Sequence, residues 1–260
     1  MEPRAVSAGH GWTWITQGSR LFRKSPAAWI SIVLLLYVSS SLLLRIPLLG
    51  VIFILFMPVF MAGLMEGCRA LERGERLQMT HLLCGFRHNA AHLVTIGGVW
   101  LVGNLAIMLL VREIGGEAIV TLSKMFSVGA GSTPPTVTPE MQAAARDVAR
   151  ALMVGTLASL PLVMAVIYAP LLVYFHDQKP LAAMKASFVA CLRNALPMLV
   201  YGGVIFAGMF LAMPLSLALG QYDLTVWLLA PVVLPSIYAS YKDVFLSGPA
   251  PAPGIDLVAK

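Results

Sequence analysis

Histidines, cysteines and a set of paired charges are the residues here whose types and spacing could do chemistry. His81, His88 and His92 lie close together, and His88 and His92 share a helical face if that turn is continuous. No acid stands beside them on that face, and HxxxH without a further ligand is a weak metal signal. His176-Asp177 has the composition of a catalytic pair, but the sequence holds no G-x-S-x-G elbow, no phosphate loop and no HExxH. Cys68, Cys84 and Cys191 match no zinc spacing, and an odd number of thiols on the expected cytoplasmic side argues against disulfides. A membrane-embedded enzyme would gather several polar residues at one depth, whereas Asn104 and scattered Ser and Thr are all that the apolar runs offer. The sequence therefore predicts no catalytic residue, no metal and no cofactor.

Charges give the sharper pattern. Arg23, Arg87 and Arg193 precede three apolar runs, while Glu66, Asp177 and Asp243 close three others. Brought to one depth, they would form a cytoplasmic ring that gates a pore or binds an anionic headgroup, because low dielectric strengthens pairing. The alternative is snorkelling side chains and interfacial salt bridges that fix helix register. Asn104, near mid-membrane, needs a partner: an interhelical or local backbone hydrogen bond, or a substrate.

The elements that must carry these residues are membrane spans. The 260 residues are 58% hydrophobic and only 12% charged, with mean hydropathy +0.82, far from the composition of a soluble domain. The net charge of +6 is scattered at the ends of apolar runs, which sets topology and makes a nucleic-acid partner unexpected. The apolar run from Trp29 to Met65 is too long for one span of about 20 residues, so it turns back at Arg45 and Pro47. The expected spans are 29–45, 47–66, 93–111, 151–175, 195–219 and 224–241. Residues 112–148 are expected to form a mobile periplasmic loop, in which Thr138, Pro139 and Glu140 read as a helix cap, a first-turn proline and a dipole-facing acid. Residues 1–246 are then one integral membrane domain, and 247–260 a disordered cytoplasmic tail. No cleavable signal peptide is expected.

An internal repeat organises these spans. Met79, Asn89, Ala90, Gly97, Gly98 and Val99 recur as Met184, Asn194, Ala195, Gly202, Gly203 and Val204, at a constant shift of 105 residues. A fainter echo runs through Leu21-Phe22-Arg23-Lys24-Ser25 into Ala27-Ala28. The fold predicted is an all-α polytopic bundle of six transmembrane helices, built from three copies of an interfacial amphipathic helix plus a helical hairpin. The first interfacial helix covers 11–24, with its tryptophans at headgroup depth. Of the 18 lysines and arginines, 13 fall on the side of the N-terminus, so both termini are expected in the cytoplasm. The Gly pairs at 97–98 and 202–203 and the Gly63/Gly67 GxxxG are read as helix-packing positions.

Gly11-Trp12 and Trp14-Ile15 before Gly18, then Leu21-Phe22 before Pro26 and Trp29, resemble the opening of an uncharacterised proteobacterial family of inner-membrane proteins. Ala169-Pro170-Leu171-Leu172 through Asp177, Pro180, Ala183-Met184, Ser187 and Arg193-Asn194 is similar to its second signature. That segment also loosely resembles the membrane domain preceding some bacterial glycerophosphodiester phosphodiesterases, although no phosphodiesterase domain is present. The resemblance implies a multi-pass protein of the bacterial inner membrane and brings no activity. The expectation is a non-enzymatic protein acting through lipids, anionic ones in particular, or through a membrane protein partner. The alternative is a small transporter or channel along a pseudo-threefold axis.

Overall fold

The computed structural model describes residues 2–128, 138–220 and 224–246, and those residues are helical nearly throughout. The helices are α1 (His10–Lys24), α2 (Pro26–Leu43), α3 (Pro47–Glu72), α4 (Ala90–Val128), α5 (Pro139–Val166), α6 (Ala169–His176), α7 (Pro180–Arg193), α8 (Ala195–Ala218) and α9 (Leu224–Tyr241). A 3-10 segment, Met79–Arg87, precedes α4, and a π turn, Lys242–Leu246, follows α9. Among the described residues six stretches are long and apolar enough to cross a membrane: Pro26–Leu43, Pro47–Glu72, Ala90–Thr121, Pro139–His176, Ala195–Ala218 and Leu224–Leu246. The chain divides into two compact units, one joining the residues up to Gly97 with those from Ala165 onward, the other being Gly98–Met164.

Local rules set most boundaries. Pro26, Pro47, Pro139 and Pro180 each open a helix, where the missing N–H costs nothing. Ile46 at the head of α3 is extended, as a residue before proline prefers, and makes the turn expected at Arg45–Pro47. Thr138 Oγ1 accepts the Met141 N–H at 3.2 Å, the expected cap of α5. Pro170 cannot donate to Val166, so the fourth span breaks between α5 and α6. The Tyr168 N–H at this break finds the Ser187 hydroxyl of α7 at 3.1 Å.

Between 112 and 128 the structure has helix where a loop is expected, because α4 continues to Val128; α5 begins at Pro139, where the sequence places a helix start, and residues 129–137 lie outside the described chain, as does the 247–260 tail. The reason is visible at Gly115 and Gly155, where the two helices of this unit close together: a Cβ at Gly115 would meet Ala151, and one at Gly155 would meet Val111. Charged residues such as Arg112 and Glu113 ride on the exposed side of that helix and do not end it.

In the other unit the short helices bury one face against the spans and leave the other exposed. Gly11, Trp14, Gly18 and Leu21 form one buried stripe of α1, which lies chiefly against α9 and α8. Trp14 is fully buried and meets Tyr201 edge-on, so of the two tryptophans only Trp12 is left outside. A Cβ at Gly18 would sit 2.6 Å from Ser236 Cβ and 2.7 Å from Val232 O. The 3-10 segment lies likewise on α3, where Gly63 and Gly67 face the backbone of His81 and Leu82 and the side chain of Leu77. The GxxxG is a seat for that segment. Gly97 closes on the Leu55 carbonyl, whereas Gly202 and Gly203 face open space, so the repeated glycine pairs do not share one role.

Opposite effects are expected from two glycine substitutions. Gly18→Ala forces α1 off α9 and should lower unfolding stability in detergent by about 1–3 kcal/mol, the usual cost of overpacking. Gly203→Ala meets no neighbour and should be neutral or stabilising, by up to ~1 kcal/mol from helix propensity. Thermal midpoints of the two variants check this.

Candidate functional site

The polar residues of the larger unit gather where the helical hairpins end. Asp243, in the π turn, accepts from Arg4 Nη2 at 2.9 Å, lies 2.6 Å from His10 Nδ1 and accepts from Trp14 Nε1 at 2.8 Å. Three residues of the N-terminal segment and α1 thus converge on one carboxylate that is 15% exposed. Asn194, fully buried between α7 and α8, holds the same segment: it accepts the Val6 N–H at 2.9 Å and donates to the Arg4 and Ala190 carbonyls, both at 2.9 Å. The Arg4 N–H in turn bonds the Val244 carbonyl at 2.9 Å. The N-terminal segment is therefore tied at once to the α7–α8 junction and to the end of α9.

Asn89 has the corresponding place between the 3-10 segment and α4. Its Nδ2 donates to the Val173 carbonyl at 3.2 Å and to Asp177 Oδ1 at 2.6 Å, joined there by His88 Nε2 at 2.8 Å. Asn89 and Asp177 have φ of 55° and 53°, the two positive values among described non-glycine residues. Asn and Asp tolerate that left-handed region best, since their short side chains bond locally. The Asn89 hydrogen bond, with the nearby His88 adding to it, holds the Asp177 carboxyl below its ordinary range. At the first junction Lys24 Nζ donates to the Leu71 carbonyl near the end of α3, at 2.9 Å.

A second set of contacts joins the ends of α3, α6 and α9. Arg69 pairs with Glu66 one turn back at 2.6 Å and lies 4.7 Å above the Phe175 ring. Glu72 accepts from Tyr238 Oη at 3.2 Å and pairs with Lys242. His176 Nε2 is 2.6 Å from Tyr241 Oη, and Phe175 stacks on Tyr241 with centroids 5.9 Å apart.

The structure thus places the expected ring differently. Glu66, Asp177 and Asp243 do stand at hairpin ends, but their cations are Arg69, His88, and Arg4 with His10, not Arg23, Arg87 and Arg193. Those three arginines are exposed, and Arg193 donates to the Pro3 carbonyl at 3.2 Å. The reason is proximity: Arg69 is i+3 from Glu66 on one helix, and His88 adjoins the Asn89 clasp. Asn104 Nδ2 donates to the Trp100 carbonyl at 2.8 Å, the local backbone bond among the alternatives weighed. His81 Nδ1 bonds the Gln78 N–H at 3.0 Å and caps its own segment, so the histidines at 81 and 88 serve separate contacts. Among the described residues no group of three His, Cys, Asp or Glu is placed to hold a metal. Burial pushes the Cys191 thiol up to about 12, which makes it a poor nucleophile at neutral pH. Of the clasp residues, Asp177 and Asp243 stand out in the sequence as ring candidates, Asn89 through the 105-residue echo and Asn194 through that echo and the Arg193-Asn194 signature, whereas Arg4 and His10 carry no local signal.

An all-helical chain with six candidate spans, its polar residues gathered at hairpin ends, defines a multi-pass membrane protein. It is 30% identical to a probable inner membrane protein of Burkholderia thailandensis, over 92% of each chain, and it belongs to that family. The printed name of that relative specifies no activity. No protein-family model matches the chain, and no solved structure matches it. The match carries the resemblance to inner-membrane proteins and not the one to the phosphodiesterase-linked membrane domain.

Two outcomes follow. Asp243→Ala leaves Arg4 without its carboxylate and should release the N-terminal segment to protease; Arg4→Ala/Asp243→Ala should lose less stability than the sum of the single variants, by about 0.5–3 kcal/mol of coupling. Asp177, with its folded pKa depressed, contributes stability that is present above the ordinary aspartate pKa and is lost as pH falls through its lowered folded value. Asp177→Asn should therefore flatten part of the acid limb of a stability–pH profile. Parallel acid limbs for the two proteins would show that the clasp contributes nothing.

Proposed function

We propose that this protein is a non-enzymatic inner-membrane protein that works through lipid or protein contacts at its short helices, with both termini in the cytoplasm. The observation that carries the reading is the same on all three. Each carries both an exposed apolar side chain and an exposed cation: Trp12, 57% exposed, with Arg20 and Arg23; Phe86, 41%, with Arg87; Leu181, 80%, with Lys185. That pairing suits a headgroup layer, where apolar groups enter the interface and cations meet anionic lipid. The three junction grips, Lys24 to Leu71, Asn89 to Val173 and Asn194 to the N-terminal segment, support three copies of one helix-plus-hairpin unit. A channel would need a continuous polar line, and several hydroxyls of the spans are engaged in pairs: Tyr201 with Ser236, Tyr168 with Ser240, and Thr225 with Ser216.

The test is lipid retention. Protein extracted gently from mixed phosphatidylglycerol and phosphatidylcholine vesicles should keep the anionic lipid preferentially in native mass spectrometry. Arg23→Gln/Arg87→Gln/Arg193→Gln should lose that preference, each cation accounting for about 1 kcal/mol. Equal retention of the two lipids by the wild type would remove the lipid reading and leave a protein partner, sought by co-purification.

A further inference from the structure

We propose that the crevice between α2, α3, α8 and α9 binds one acyl chain of a membrane phospholipid. It measures about 280 Å³ and is walled by Leu36 of α2, Met57 and Leu64 of α3, Met209 of α8, and Trp227 and Leu234 of α9, among other apolar side chains. All four helices are candidate spans, so hydrocarbon is the medium that reaches this opening. Water is a poor occupant, because a trapped molecule needs two to four polar partners and these walls are aliphatic, thioether or aromatic. An empty crevice would leave its lining atoms without dispersion partners on one side.

The crevice is elongated, as a chain requires: along α9 its lining runs from Val226 to Leu234, about 12 Å at 1.5 Å per residue. A neighbouring crevice shares Met209 and Val226 and continues toward the α8–α9 connection, which lengthens the groove. Its two hydroxyls, Thr225 and Ser216, bond each other at 2.6 Å, so that stretch also presents no open polar demand. Trp227, one of the lining residues, meets Tyr37 of α2 edge-on at 5.9 Å. Met57 and Met209 give flexible walls that can follow chains of different unsaturation. The site requires membrane insertion but no headgroup charge, so it stands or falls separately from the anionic-lipid reading.

The experiment uses the full chain in neutral phosphatidylcholine vesicles containing a phosphatidylcholine with a diazirine on its acyl chain. After illumination, adducts should concentrate on Met57, Leu64, Met209 and Leu234. Ala230→Phe and Met209→Trp, which fill the crevice from opposite walls, should each cut adducts on the remaining lining residues by about tenfold. Labelling of the exposed Leu105 and Leu211 should be unchanged. Adducts spread evenly over exposed faces would overturn the proposal, as would unchanged labelling in both variants or a crosslink from these residues to a second copy. If neither variant inserts, the wild-type adduct map decides.

Discussion

Every backbone N–H and C=O freed by a broken helix must find a partner where water is scarce, and this constraint shapes the larger unit. The chain breaks its helices repeatedly, before α2, before α4, before α6 and before α8. At each break a side chain from elsewhere in the chain, or one at the break itself, takes up backbone groups: Lys24 for Leu71, Asn89 for Val173, Ser187 for Tyr168, Asn194 for Arg4 and Val6. Because these groups belong to distant segments, satisfying the backbone also fixes which elements lie side by side. Asn194 does this while fully buried, donating to the Arg4 and Ala190 carbonyls and accepting the Val6 N–H.

The second determinant is close approach. α1 carries Gly11 and Gly18 on the stripe that includes Trp14 and Leu21, so its backbone comes near enough to α8 and α9 for Trp14 to reach Asp243. With that carboxylate also holding Arg4 and His10, the N-terminal segment is bound by charge at one end and by backbone contact along its length. An arrangement of this kind costs side-chain entropy and desolvation, which the shared acceptor offsets because one buried carboxylate meets three donors. The face of α1 opposite the stripe is what remains available to lipid or a partner, and Trp12 lies there.

Features that depend on neighbours in sequence were legible from the sequence: the Arg45–Pro47 turn, the Thr138 cap, and six apolar runs, although the third span extends ten residues beyond its expected end and the fourth begins twelve residues before its expected start. Features that depend on helix rotation were not. Glu66, Asp177 and Asp243 follow or close apolar runs in the sequence, yet nothing local tells which way each faces, and Arg4, one partner of Asp243, lies 239 residues away. The extension of α4 past residue 111 was hidden for a related reason: the charges at Arg112, Glu113 and Glu117 signal a loop, whereas Gly115 packs against Ala151 within a pair of helices.

Carboxylates and arginines end up in different circumstances, and this bears on where the protein can act. Glu66, Glu72, Asp177 and Asp243 are each committed to cations or amides within the chain. Arg23 and Arg87 are exposed and form no ion pair with described residues, and Arg193 spends one donor on a backbone carbonyl. A guanidinium carries five donors that suit phosphate oxygens in a planar fork, so exposed arginines retain most of their binding capacity. Exposed acids such as Glu75, Glu113 and Glu140 share the outer surface with them. Glu66, Asp177 and Asp243 take Arg69, His88, and Arg4 with His10 as partners, so Arg23 and Arg87, which the sequence grouped with them, are left outside those pairs.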